Sequence, residues 1–197
     1  MPQAVRFPLR VLVPVLAAAV LLLGALGWLA ARGPINTGIP GIGGPFALVD
    51  QTGKPMTEQA LLGKPTLMFF GYTHCPDICP TTLFQMSELL KALGPQPGVN
   101  AVYVTVDPER DTTKVMADYL TSFDPHIVAL TGDRPAVDAM LKTYRVYSKK
   151  TPSKDGSDYT MDHSALVYLM GKDGRFLSAF NLEQPIPEQV AQLRRVM

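Results

Sequence analysis

The sequence predicts an α/β domain carried behind an amino-terminal transmembrane helix. Three observations lead there. β-rich apolar runs alternate with helix-period segments over residues 66–144, a hairpin pattern and a last helix follow, and an uncharged run at 11–31 precedes them all. Strand–helix–strand crossovers of this kind set neighbouring strands parallel and gather functional loops at their carboxyl ends. With 197 residues, 47% hydrophobic and 18% charged, the chain has material for one ordinary domain plus an apolar segment. A formal net charge of +1 without a basic cluster sets nucleic acid aside as a partner.

The run at 11–31 would be roughly 31 Å long as a helix, enough to cross a bilayer core. Pro14 falls in its first turn, where a missing N–H costs least, and Trp28 lies near the far end, where indole favours the interface. Arg6, Arg10 and the amino terminus precede the run, against Arg32 alone after it. This bias keeps residues 1–10 cytoplasmic and exports the rest, as in a single-pass protein of a bacterial inner membrane whose soluble domain faces the periplasm. A cleaved signal peptide, cut near Ala30 and Ala31, is the alternative; the apolar run exceeds the usual core of roughly 7–15 residues, which favours retention. No cysteine follows the run closely enough for a lipid anchor. Residues 32–45, rich in Gly and Pro, read as a linker, and 46–197 as the exported domain.

Within that domain, Phe46-Ala47-Leu48-Val49 reads as a strand entering a turn at Asp50-Gln51-Thr52-Gly53-Lys54. Residues 66–70 are a buried strand, and after Pro80 the helical spacing of Leu83, Met86, Leu90 and Leu93 predicts a helix that Gly94 and Pro95 stop. A second strand, 101–106, ends in Asp107-Pro108-Glu109-Arg110-Asp111, with Asp111 as expected N-cap of a helix over 112–122. A third strand fits 127–130, and Asp133 with Pro135 opens a helix through Tyr144. Residues 147–162 read as a polar loop or small hairpin whose Lys149, Lys150 and Lys154 are solvated. A β-hairpin over 165–170 and 176–180 turns at Gly171-Lys172-Asp173-Gly174, and Val190, Leu193 and Val196 dock a last helix over 187–197.

Both cysteines lie in Phe69-Phe70-Gly71-Tyr72-Thr73-His74-Cys75-Pro76-Asp77-Ile78-Cys79-Pro80, a strand-to-helix turn. Free N–H groups and the helix dipole favour thiolate there. Residues four apart share a helical face, so Cys75 and Cys79 present both sulfurs to one point if the turn begins at or just after Cys75. A disulfide across so short a loop would add little stability, which argues for chemistry rather than a staple. His163, just before the strand at 165–170, can reach the same sheet edge. His74 abuts Cys75 but diverges from it in direction, His126 beside Pro125 reads as structural, and Met161 offers a thioether near His163. Asp107 ends the second strand at the edge shared with the cysteine turn, either orienting a ligand or serving as a turn residue paired with Arg110. Two thiolates and an imidazole suit copper, especially Cu(I), or zinc, and three donors leave a position open for a metal that is handed on.

At Thr73-His74-Cys75-Pro76-Asp77-Ile78-Cys79-Pro80, Val106-Asp107-Pro108-Glu109-Arg110-Asp111 and Asp162-His163-Ser164 the chain resembles the Sco/SenC family of copper-binding proteins needed for cytochrome c oxidase assembly. The resemblance implies a thioredoxin-like fold, a central mixed sheet flanked by helices, on a membrane anchor. It implies Cys75, Cys79 and His163 as ligands of copper, as Cu(I) and/or Cu(II), with Asp107 the acidic residue near the metal. Thr113 departs from the proline that many members carry there. The implied function is a metallochaperone, not an enzyme, that loads the copper A centre of cytochrome c oxidase subunit II. A copper donor protein and a thiol reductant are its further implied partners. The alternative is a thiol–disulfide reductase that keeps the copper-ligand cysteines of subunit II reduced. Met161-Asp162-His163-Ser164 stands where thiol oxidoreductases place a cis-proline, which favours metal binding. A peroxidase of this fold has threonine three residues before its cysteine, whereas Thr73 lies two before Cys75.

Overall fold

The structure is a computed structural model that describes residues 41–153, 156 and 158–197. The segment 1–10, the membrane span read at 11–31 and linker residues 32–40 lie outside the described residues. Among the described ones, no helix is long and apolar enough to cross a membrane. Strands β1 (Ala47–Asp50), β2 (Pro55–Thr57) and β3 (Thr66–Gly71) lead into helix α1 (Ile78–Leu93). Then come β4 (Asn100–Thr105), α2 (Thr113–Leu120), β5 (Ile127–Thr131) and α3 (Arg134–Thr143). β6 (Ser148–Pro152), β7 (Tyr159–His163), β8 (Val167–Met170), β9 (Phe176–Phe180) and α4 (Ile186–Arg194) complete the domain.

Seven strands form one mixed sheet in the order β2-β1-β5-β4-β3-β8-β9, and β6 pairs with β7 apart from it. β3, β4 and β5 run parallel, joined through α1 and α2 as the alternating pattern predicts, while β8 returns antiparallel beside β3. This is the thioredoxin-like arrangement, with helices over a central mixed sheet. β3 is apolar along its whole length because both its faces are covered. Phe69 stacks on Tyr103 of β4 at 5.8 Å, and Tyr103 meets Tyr119 of α2 at 6.1 Å. Phe70, on the opposite face, packs on Tyr144 at the end of α3 and on Tyr168 of β8.

Local chemistry explains most boundaries. α1 starts at Ile78 rather than after Pro80, because a proline in the first turn has no N–H that the helix would use. It buries Leu83, Met86, Leu89 and Leu90 and stops at Gly94, whose φ of 96° excludes most side chains. Asp133 caps α3 by accepting from Ala136 N at 2.8 Å. α2, in contrast, is capped by Thr112, which accepts from Val115 N, and not by Asp111 as expected. The Asp111 side chain is turned inward to other partners. The polar stretch after α3 resolves into the β6–β7 hairpin. The three-residue β2 is too short to carry a periodic signal. The last linker residues are tied to the domain, with Gly43 N donating to Thr143 O and the Tyr144 hydroxyl to Gly44 O.

Leu83 is fully buried under α1. Leu83→Ala should lower stability by about 2–5 kcal/mol, read from the urea midpoint of the reduced chain.

Candidate metal centre

Strand direction brings the site together. β3 and β4 end on the same side because they are parallel, and β8 begins there because it is antiparallel to β3, with Phe69 opposite Val167. Residues following Gly71 and Thr105 and residues preceding Val167 therefore share one edge. Val106 N donates to Gly71 O at 2.8 Å and carries the β3–β4 ladder one step further.

Cys75 lies in a turn closed by its own N–H to Tyr72 O, and it is half-buried. Cys79 is in the first turn of α1 and is fully buried. Both are free thiols. The helix thus carries one sulfur and the turn ahead of it the other, rather than one helical face carrying both. Cys79 Sγ lies against the backbone of Gly71, where a β-carbon would come within 2.6 Å of the sulfur and 2.9 Å of the Tyr103 ring. Burial pushes the Cys79 thiol from 9.0 up to about 12, and the nearby Cys75 adds to it, while a backbone hydrogen bond at Tyr72 works the other way. The expectation of a helix-stabilised thiolate fails at Cys79, because loss of water outweighs the pull of the helix end.

His163 ends β7 and is half-buried. Its Nδ1 is 3.0 Å from Ser164 O. A carbonyl only accepts, so Nδ1 carries a ring proton, and in the neutral imidazole the lone pair is on Nε2. That lone pair faces Cys79 Sγ at 3.8 Å, the distance of a weak hydrogen bond from the thiol. The Tyr72 ring meets the imidazole edge-on, with centroids 5.7 Å apart. The structure therefore brings Cys79 and His163 together from elements 84 residues apart. Among the described residues, no three His, Cys, Asp or Glu side chains are gathered closely enough to hold a metal ion as they stand.

Two buried carboxylates brace this edge. Asp111 accepts from Thr73 Oγ1 at 2.5 Å, from Thr73 N and from Thr105 Oγ1 at 2.6 Å, which fixes the start of the cysteine turn. Burial pushes its carboxyl up, and those hydrogen bonds pull it back. Asp107 reaches Arg110 Nε at 2.5 Å and accepts from the Tyr159 hydroxyl at 3.0 Å. Arg110 stacks on the Tyr159 ring at 3.7 Å and donates to Tyr159 O, so Asp107 holds β7, and hence His163, through Arg110. Lys150, read as solvated, donates to Glu109 and holds its ammonium 3.8 Å from the centre of the Tyr159 ring.

The remaining candidates lie elsewhere. His74 is exposed and bonded to Thr73 Oγ1, and His126 is bonded to Asp124. Met161 is buried in the hydrophobic core. Sequence reasoning missed Gly71, Thr73, Tyr103, Tyr119 and Tyr159 as parts of this neighbourhood. Only Gly71 and Thr73 adjoin the cysteines in sequence, and the others carry no local signal of where their rings go.

The family description SCO1/SenC matches residues 36–197. The copper-bound structure of Bradyrhizobium japonicum ScoI is similar at a TM-score of 0.76 and 57% identity, over 79% of this chain and 99% of that one. Copper-bound yeast Sco1 is similar at a TM-score of 0.71 and 38% identity, over 79% of this chain and 88% of that one. The human mitochondrial SCO1 homolog is 40% identical over 148 residues, 74% of this chain and 49% of that protein. The chain spans about half the length of the curated relatives it matches first.

Two outcomes follow from the packing around Cys79. Gly71→Ala forces a β-carbon onto the sulfur and the Tyr103 ring, and should cost about 1–3 kcal/mol in urea unfolding of the reduced, metal-free chain. The raised Cys79 value favours the folded state fully below pH 9.0, and that contribution is lost as pH rises towards about 12, since unfolding frees the thiol to ionise. The alkaline decline in stability should therefore be shallower in Cys79→Ser than in the wild type, in urea melts across that window.

Proposed function

The chain belongs to the SCO1/SenC family, and on that premise we propose that it is a membrane-anchored copper metallochaperone for the copper A centre of cytochrome c oxidase. Cys75, Cys79 and His163 are the proposed ligands, and copper is the cargo. The observation that carries the reading is the 3.8 Å separation of Cys79 Sγ and His163 Nε2, with the Nε2 lone pair left free. Two donors at about 2.0–2.3 Å from one ion stand roughly 3.5–3.8 Å apart. This pair already has that spacing. Cys75, on the turn ahead of α1, adjoins Cys79 and is the third donor of the proposed set.

The donor chemistry supports copper. Two sulfurs and an imidazole form a soft set, and both thiols give up protons as Cu(I) enters. Three protein donors leave the ion open to an incoming ligand, which suits transfer to oxidase subunit II. The half-buried Cys75 is the donor an acceptor can reach first. The anchor at 11–31 and a periplasmic domain belong to the same proposal, as do a copper donor protein and a thiol reductant that keeps the cysteines open.

The accessible Cys75 beside a buried Cys79 also favours a second reading, a reductase in which Cys75 attacks a disulfide of subunit II and Cys79 resolves the mixed disulfide. Titrating the reduced protein with Cu(I) against a chelator separates the two. The chaperone takes up one equivalent, and His163→Ala and Cys75→Ser each weaken binding by about 100-fold or more. Unchanged binding in His163→Ala removes the histidine from the site. Rapid reduction of an oxidised subunit II peptide without copper, together with copper binding retained in Cys75→Ser, supports the reductase instead.

A further inference from the structure

Behind Cys79 stands a buried hydroxyl without a well-formed hydrogen bond. Tyr103 is fully buried in β4, and its oxygen makes no well-aligned hydrogen bond, although it stands close enough to Cys79 Sγ to act on the thiol. Most buried hydroxyls find a partner, so an orphan is a feature to be explained. Its position is informative. The point a β-carbon of Gly71 would occupy lies 2.6 Å from Cys79 Sγ and 3.2 Å from the Tyr103 oxygen, so sulfur and hydroxyl border the same small space. The ring cannot turn away, because Phe69 stacks on it and Tyr119 flanks it.

As a neutral thiol, Cys79 is a weak acceptor, and its contact is with His163 Nε2. A metal-bound thiolate in the same dry space is a far stronger acceptor. We infer that Tyr103 is a positioning residue of the copper site, its O–H donating to Cys79 Sγ when that sulfur is a metal-bound thiolate. The inference rests on the copper reading above. It turns a loose Tyr103–Cys79 contact of the metal-free chain into a formed hydrogen bond when the sulfur is charged. Hydrogen bonds to a ligating sulfur reduce its donor strength and so tune the spectrum and potential of the metal. Tyr119 also has a buried, unpartnered hydroxyl beside Tyr103; it is near enough to both cysteines to feel their charge but has no hydrogen bond to either, so it separates a hydrogen-bond effect from a general polar one.

The test compares wild type, Tyr103→Phe and Tyr119→Phe, each reduced and then loaded with one equivalent of copper. Tyr103→Phe should still bind one copper, with the sulfur-to-Cu(II) charge-transfer band moved to lower energy and the Cu(II)/Cu(I) potential lowered. Tyr119→Phe should leave both where they are in the wild type. An unchanged band and potential in Tyr103→Phe overturn the inference while the copper reading stands. A wild type that binds no copper overturns the copper reading itself.

Discussion

Cys79 Sγ packs on the backbone of Gly71, in the space a β-carbon would take, and the rest of the site is arranged around that contact. It is possible because β3 ends on a residue without a side chain just where α1 begins its first turn. The sulfur is thereby sealed between the sheet end, the Tyr103 ring and the helix. Sealing has an electrostatic consequence: the thiol stays protonated far above its ordinary range. A group so held is a poor nucleophile in the free chain. It becomes a strong ligand only when a cation replaces the proton.

The same sealing divides the labour between the two cysteines. Cys79 is rigid and dry, whereas Cys75 rides on a turn that Asp111 pins only at its start, through Thr73. The proposed ligand set is thus one buried sulfur, one half-buried sulfur on a turn and an imidazole on a separate hairpin. A site of this kind holds an ion without enclosing it.

The hairpin of β6 and β7 is outside the main sheet, so its placement depends on side chains. Asp107 and Arg110 provide it, with the guanidinium stacked on Tyr159 and bonded to its carbonyl. Removing either charge would break a buried pair and leave its partner with only the longer contacts to Asp158 or Arg134, which is more costly than losing an exposed pair. Asp107 therefore acts on His163 at a distance, through four residues of β7, and makes no contact with either sulfur among its hydrogen bonds and ion pairs. The carboxylate that does brace the cysteine turn is Asp111.

Much of this was legible in the sequence, and for identifiable reasons. The alternation of β-rich and helix-period segments determines a parallel β3-β4-β5 core, because crossover connections admit little else. The spacing of Leu83, Met86 and Leu90 gives α1 its buried face, and Cys75, Cys79 and His163 announce themselves as the rare soft donors of a chain with 2 cysteines and 3 histidines. What the sequence leaves open is decided by contacts distant along the chain. The antiparallel register of β8 against β3 puts His163 beside Cys79, and no local pattern encodes that register. Asp111 looks like a helix cap and is instead a buried brace, since capping and bracing use the same carboxylate and only the packed fold chooses between them. The state of the Cys79 thiol follows the same rule: the sequence supplies a sulfur at a helix start, but burial, which exists only in the tertiary structure, sets whether it carries a charge.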